Sequence, residues 1–218
     1  MQNVSAKQII LKSIPARTAN EFVKNVHYSK KIVPNSQIHL GAFLNGQLHG
    51  VLQYGPSMDK ENVINLVDGT KWNEFLELNR MAFDDYLPKN SESRAIAISI
   101  KLIKKNAPHI KWIISFADGT QCGDGTIYRA SGFVLTQINK NKTIGFSKKL
   151  GRVVAKHGTQ RHKQGKVDLL DGYQLRYIYF IDKSYQERLT VPIIPFEKIS
   201  EIGAGMYKGQ KRFKGTTS

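Results

Sequence analysis

The chain has one cysteine in 218 residues, Cys122, which excludes an internal disulfide and a cysteine-rich zinc site. No apolar run comes near the roughly 18 residues that span a bilayer. The first residues, Met1-Gln2-Asn3-Val4-Ser5, lack the basic and apolar regions of a secretory signal. These absences predict a reducing, cytoplasmic setting with no membrane partner. Acid is also scarce: 17 Asp and Glu stand against 33 Lys and Arg, for a formal charge of +16. The imbalance is uneven. Residues 139–218 carry 17 Lys and Arg against 6 Asp and Glu, a net of +11, which leaves +5 for residues 1–138. A basic half beside a near-balanced half points to a polyanion, most simply nucleic acid, with a solubility face as the alternative.

What is present reads as a mixed α/β (α+β) chain whose strands and helices do not alternate throughout. Ala6 to Lys12 has the pattern of a first strand, and Pro15 opens a helix over Ala16 to Asn25. Ile38 to Leu44 and Gln47 to Tyr54 flank Asn45-Gly46, the signature of a tight hairpin whose two turn residues both need positive φ. Asp59 to Leu66 reads as a short helix and Phe75 to Phe83 as a strand. Asn90 or Ser91 caps a helix whose apolar stripe is Ile96, Ile100 and Ile103. Ile110 to Phe116 is a strand, and Thr126 to Ser131 a short helix. Phe133 to Asn139 and Thr143 to Ser147 read as a second hairpin around "NKNK", Gly151 to Lys166 as a basic loop, and Tyr173 to Ile181 as a strand. The tail "YKGQKRFKGTTS" has no core pattern.

Several residues carry chemistry on their own terms. The N-terminus of the helix at "NSES" presents unpaired N–H groups that suit a phosphate, with Ser91 and Ser93 as added donors and Arg94 as a charge; plain capping is the alternative. Arg80 lies in an otherwise apolar or small strand and needs a carboxylate or a phosphate. Glu77 and Asp84 are its structural candidates. The turn Gly123-Asp124-Gly125 lets the chain swing from strand to helix close to a ligand, or else forms a surface loop of Asx turns. Cys122 has no His or Lys beside it to activate a thiolate. Lys148, Lys149, Arg152, Lys156, Arg161, Lys163 and Lys166 are spread along a segment suited to phosphate contacts, which give affinity without base reading.

Three segments taken together, "HYSKK" (27–31), "ELNRMAFDDYLPKNSES" (77–93) and "ADGTQCGDGTIYRASGF" (117–133), resemble the Mom family of phage DNA-modification proteins. The resemblance covers roughly residues 20–150. It implies a fold like that of the GCN5-related N-acetyltransferases: a mixed central sheet, splayed between its fourth and fifth strands to admit an acyl donor, flanked by helices and followed here by a basic C-terminal extension. The order of the elements above fits that arrangement. The segment "YLPKNSESR" departs from the acetyltransferase pattern in having no glycine at the pyrophosphate loop.

The resemblance also implies a reaction, the transfer of a methylcarbamoyl-type acyl group to the exocyclic amine of adenine in DNA, which protects the DNA from restriction. On that reading DNA is the partner and an acyl-coenzyme A-type donor, acetyl-coenzyme A among the candidates, is the cofactor. Asp118, Tyr128, Arg80, Ser93, His27 and Tyr28 form the catalytic set. Ser91, Ser93, Arg94 and Arg80 hold the donor, and His27, Tyr28, Asp118 and Tyr128 are the ligands of an iron ion. Tyr128, protonated at neutral pH, suits a general acid for a leaving thiolate. The expected organisation is a catalytic domain over residues 1–150, a basic extension over 151–205 packed on it, and a flexible basic tail over 206–218. The setting is host cytoplasm if phage-encoded, and a homodimer is left open. Two other readings stand beside this one: an N-acetyltransferase acting on protein or tRNA, and a basic nucleic-acid-binding module without catalysis.

Overall fold

In the computed structural model, residues 5–155, 161–207 and 210–211 are described, with Ala155, Arg161 and His162 placed by their backbone alone. The elements run β1 (Ile10–Ser13), α1 (Ala16–Val26), β2 (Ile38–Leu44), β3 (Gln47–Gly55), α2 (Lys60–Ile64), β4 (Phe75–Phe83), α3 (Ser91–Asn106), β5 (Trp112–Asp118) and α4 (Thr126–Ala130). They continue with β6 (Val134–Lys140), β7 (Ile144–Ser147), β8 (Arg152–Ala155), α5 (Arg161–Gln164), β9 (Val167–Leu169), β10 (Tyr173–Phe180), α6 (Glu197–Glu201), β11 (Met206–Tyr207) and β12 (Gln210–Lys211). The largest sheet is mixed, with seven strands in the order β1-β2-β3-β4-β5-β10-β6. None of the described helices is long and apolar enough to cross a membrane.

The chain divides into two compact units. One holds the chain up to Ser115, Ile127–Val134 and Tyr177–Ile193; the other holds Phe116–Thr126, Leu135–Arg176 and the chain from Ile194. The division therefore does not fall near residue 150. It passes through β5, β6 and β10.

In the first unit, local chemistry sets the hairpin. Asn45 (φ 51°) and Gly46 (φ 81°) both take the left-handed region, and Leu44 pairs with Gln47. Pro15 precedes α1, whose fixed φ suits a helix start. Helix α1 lays Ala19 and Val23 against Val51 and Ala82 on one face of the sheet. Adjacent strand residues point to opposite faces, and on the other face Tyr54 meets Ser99 of α3. A second cluster gathers Phe75, Trp112, Ile114, Ile178 and Phe180 with Val63 and Val67. Phe75 and Trp112 stack at 4.5 Å, and Trp112 Nε1 donates to Thr70 Oγ1 at 3.2 Å. Full burial of each of these side chains stabilises by about 1.5–3 kcal/mol.

The second unit departs from the expectation at three points. Strands β6 and β7 do not form a hairpin: β7 pairs with β8 and β9 in a separate sheet, β8-β7-β9. Asn141 causes the parting. Its Nδ2 donates to Ile144 O (2.6 Å) and Leu170 O (2.8 Å), and its Oδ1 accepts from Thr143 N and Ile144 N, so the chain is turned toward β9. The segment expected as a basic loop instead contains β8 and α5. The start of the tail pairs Met206–Tyr207 with Gln210–Lys211, with Met206 buried and its N–H donated to Asp124 Oδ2 at 3.2 Å.

Candidate active site

Strands β4 and β5 are parallel but pair over only three residues, Phe75↔Trp112 to Glu77↔Ile114. Beyond that point β4 keeps its antiparallel ladder to β3. Where a backbone bond to β5 would come next, the Ser115 hydroxyl donates to Leu78 O across 3.5 Å. The cause of the opening is a bulge. Gln53 faces Arg80 and Tyr54 faces Leu78, so Asn79 is an extra residue on β4, and a bulge bends and twists its strand. Asn79 is buried, its Oδ1 accepts from Ser36 Oγ at 3.1 Å, and a Cβ on Gly55 would meet Asn35 O at 2.5 Å and Asn79 Oδ1 at 2.8 Å. Glu77 closes the paired segment. Burial pushes its carboxyl above the usual range, opposed by bonds from Ser57, Asn79 and the Met58 backbone and by the Arg80 charge.

On the α1 face a polar row crosses three strands, His39↔Gln53↔Arg80. Gln53 is fully buried; its Nε2 donates to Asn20 Oδ1 (2.9 Å) and lies 3.0 Å from His39 Nδ1. Arg80 is a fork on two carbonyls: Nε donates to Lys31 O at 2.9 Å and Nη1 to Asn79 O at 2.7 Å. Burial lowers its pKa, and Tyr28 and Glu77 oppose that shift, so the guanidinium stays charged. His27 and Tyr28 contact each other with ring centroids 4.3 Å apart. Tyr28, Lys31, Glu77 and Arg80 thus form one neighbourhood, with His27 joined through Tyr28. The Arg80 partner proposed by sequence is half right, since Glu77 is near it, whereas Asp84 bonds His49 Nδ1 at 2.9 Å.

Of the residues expected to hold the donor, Ser91, Ser93 and Arg94 sit on α3 and Arg80 on β4. Asn90 takes φ 72°, the left-handed conformation that a glycine would otherwise supply, and makes no side-chain cap. Ser91 does not serve as a ligand contact: it is fully buried and its hydroxyl donates to Pro88 O at 2.5 Å. Ser93 Oγ donates to Asn90 O at 3.1 Å, and Arg94 Nη2 donates to Lys7 O at 3.1 Å, while Arg94 Nε is buried without a partner. Lys7, Lys89, Asn90, Ser93, Arg94 and Ala130 are among the residues lining a cleft of about 700 Å³. Three cations beside a helix N-terminus fit the phosphates of an acyl-coenzyme A-type donor. Arg80 is not part of this lining. Tyr128, near Ala130 on α4, is buried against Phe133 and Tyr177, at centroid distances of 5.4 and 5.1 Å. It lies within electrostatic reach of Tyr54, whose hydroxyl is 2.5 Å from Ser99 Oγ and whose pKa burial pushes far up.

The second unit holds Asp118. Its Oδ1 accepts from Thr120 N (3.0 Å) and Thr120 Oγ1 (2.5 Å), and its Oδ2 from Gln121 Nε2 at 3.2 Å. Asp124 repeats this design on Thr126 while also anchoring Met206. The Cys122 thiol is pushed up, first by partial desolvation of its sulfur and then by the Asp118 charge, which makes it a poor nucleophile. Nothing supports the expected iron: among the described residues no group of three or more His, Cys, Asp or Glu side chains could hold an ion. Lys148, Lys149, Arg152, Lys163 and Lys166 are exposed. Lys156 and the Arg161 side chain lie outside the described residues.

A mixed α/β sheet parted at a parallel seam, with a cationic cleft at a helix N-terminus, is the acetyltransferase-like class that the sequence pattern implied. The particular family follows from comparison: the model of the Mom protein family matches residues 8–198, and the chain belongs to that family. It is 31% identical over 198 residues to the methylcarbamoylase mom of Escherichia phage Mu, covering 86% of this chain and 82% of that protein. Similar solved structures include a GNAT family acetyltransferase from Elizabethkingia anophelis with acetyl-CoA bound, 13% identical, covering 79% of this chain and 98% of that one with a TM-score of 0.49. Another is the ribosomal-protein-S18-alanine N-acetyltransferase of Escherichia coli, 10% identical, covering 80% and 94% with a TM-score of 0.47.

Proposed function

We propose that this protein is an enzyme that transfers a methylcarbamoyl-type acyl group to the exocyclic amine of adenine in DNA, shielding the DNA from restriction. The observation that carries this reading is its 31% identity to a phage methylcarbamoylase along 86% of the chain. When bound, an acyl-coenzyme A-type donor supplies an activated acyl carbon with a thiol leaving group. Lys7, Lys89 and Arg94 would neutralise its phosphates at the α3 cleft, and Ser93 would add a hydroxyl. The residues after Leu78 on β4, beyond the ladder to β5, offer backbone groups at the seam to a developing oxyanion.

The adenine amine is a weak nucleophile, because its lone pair is delocalised into the ring, and in a duplex the base must be flipped out at a cost of a few kcal/mol. Positioning is therefore the main task of the protein. Arg80, His27 and Tyr28 supply a charged and hydrogen-bonding surface on the α1 face for the nucleotide. Tyr128 is the proton donor to the leaving group. Mass spectrometry of nucleosides from cells expressing the protein tests the reading. A mass gain on deoxyadenosine is expected, absent in Y128F while DNA binding persists. Unmodified deoxyadenosine together with newly acetylated protein or tRNA would overturn it.

A further inference from the structure

One histidine ties the end of β4 to β3. Gly50 faces Ala42 and Leu48 faces Phe43, so His49 is the extra residue of a bulge on β3, and a bulge re-aims its side chain. Gly50 in turn faces Phe83, the last residue of β4, and a Cβ on Gly50 would meet the Phe83 ring at 2.3 Å. The strands are therefore close at this point, and His49 reaches the chain just past it. His49 O accepts from Asp84 N at 3.0 Å, and His49 Nδ1 lies 2.9 Å from Asp84 Oδ2. A carboxylate only accepts, so Nδ1 carries the proton. Asp84 Oδ1 accepts from Tyr86 N at 3.0 Å, and the Tyr86 ring stacks on the imidazole at 4.2 Å. His49 Nε2 is buried and has no hydrogen-bond partner among the described residues. The polar contact of this ring is thus spent on Asp84.

What the ring holds is the stretch 84–90 that leads into α3. At the far end of that stretch Ser91 N and Ser91 Oγ donate to Pro88 O, at 3.2 and 2.5 Å. Pro88, Lys89 and Asn90 line the cleft together with Lys7 and Arg94. Lysine is a point charge on a flexible stem, so the place of the Lys89 charge depends on where its backbone is held. We infer that His49 is a positioning residue for the donor cleft: through Asp84 and Tyr86 it fixes the stretch 84–90 and so sets Lys89 against the phosphates of the donor. The inference rests on the reading of that cleft given above.

The test titrates the full chain with coenzyme A. Wild type is expected to bind it, and H49A to bind it roughly tenfold more weakly, the scale of one lost charge-assisted hydrogen bond. Asparagine places an amide N–H near the position of Nδ1, so H49N is expected to stay within about threefold of wild type. D84A cuts the same tie from the loop side and decides the matter if H49A does not fold. Removing a negative charge by itself favours an anionic ligand, so the roughly tenfold loss expected in D84A reports the loop and not the field. K89A weakens binding as well, and in the H49A background it is expected to cost less than about twofold more, because an untethered Lys89 is already lost to the ligand. Binding by H49A within about twofold of wild type overturns the inference and leaves the donor cleft standing. H49N as weak as H49A also overturns it, as do losses in H49A and K89A that multiply in the double variant. No binding of coenzyme A by wild type up to about 1 mM overturns both the inference and the donor reading of the cleft. The expected pattern in a protein that leaves deoxyadenosine unmodified keeps the role of His49 and sinks the proposed reaction.

Discussion

Arg80→Lys separates charge from geometry at the candidate site. Arginine satisfies two carbonyls at once, Lys31 O at 2.9 Å through Nε and Asn79 O at 2.7 Å through Nη1. An ammonium is a single point donor and can hold one of them. The loss is one charge-assisted hydrogen bond, about 1.5 kcal/mol at the low end of the usual range because the Lys31 side of the fork is exposed. For a chain of this length that lowers Tm by about 3–6 °C. The effect should concentrate in the segment that Arg80 ties down, where Ser29 N bonds His27 Nδ1 and Lys30 N bonds His27 O. Hydrogen exchange at amides 29–31 should accelerate about tenfold for each 1.4 kcal/mol lost, and modification of DNA should fall with it. Exchange at 29–31 within twofold of wild type, with an unchanged Tm, would falsify the claim that the guanidinium fork holds His27 and Tyr28 in place.

Other outcomes follow from the same geometry. Y128F keeps the buried packing on Phe133 and Tyr177, so the protein should stay folded while modified deoxyadenosine disappears; a product yield at wild-type level removes Tyr128 from the chemistry. Asn90, at φ 72°, should accept glycine at no cost or with a gain of about 0.5 kcal/mol, whereas alanine should destabilise by about 1 kcal/mol, as read from urea midpoints. Glu77 has a raised folded pKa, so the native state holds a proton that the unfolded chain has released. Its contribution is full below the ordinary carboxylate range and is lost as pH rises through the raised value. E77Q should flatten that limb of the stability curve, and an unaltered limb in E77Q would show that Glu77 does not cause it.

Much of the fold is legible in the chain itself. The hairpin at Asn45-Gly46 is written in two residues that tolerate positive φ, the stripe Ile96, Ile100, Ile103 sets the buried face of α3, and β4 falls at Phe75–Phe83 as its composition implies. The candidate site is legible only in part. Tyr28 lies against His27 and within electrostatic reach of Arg80, but Ser91 is spent inside its own turn. The separation of β6 from β7 depends on Asn141 reaching Leu170, 29 residues away. No periodicity signals such a contact. Gln53, Asn79 and Ser99 carry no signal for the same reason: each reads as an ordinary strand or helix residue until its partners are known.

The sequence alone determined the local elements, the clustering of positive charge and the family signature, because turn chemistry, hydrophobic period and composition act over a few residues. The tertiary structure decided where the sheet opens. A single extra residue, Asn79, bends β4 from β5 after three paired residues. That bend exists only through cross-strand register, which is a property of three strands together and of none of them alone.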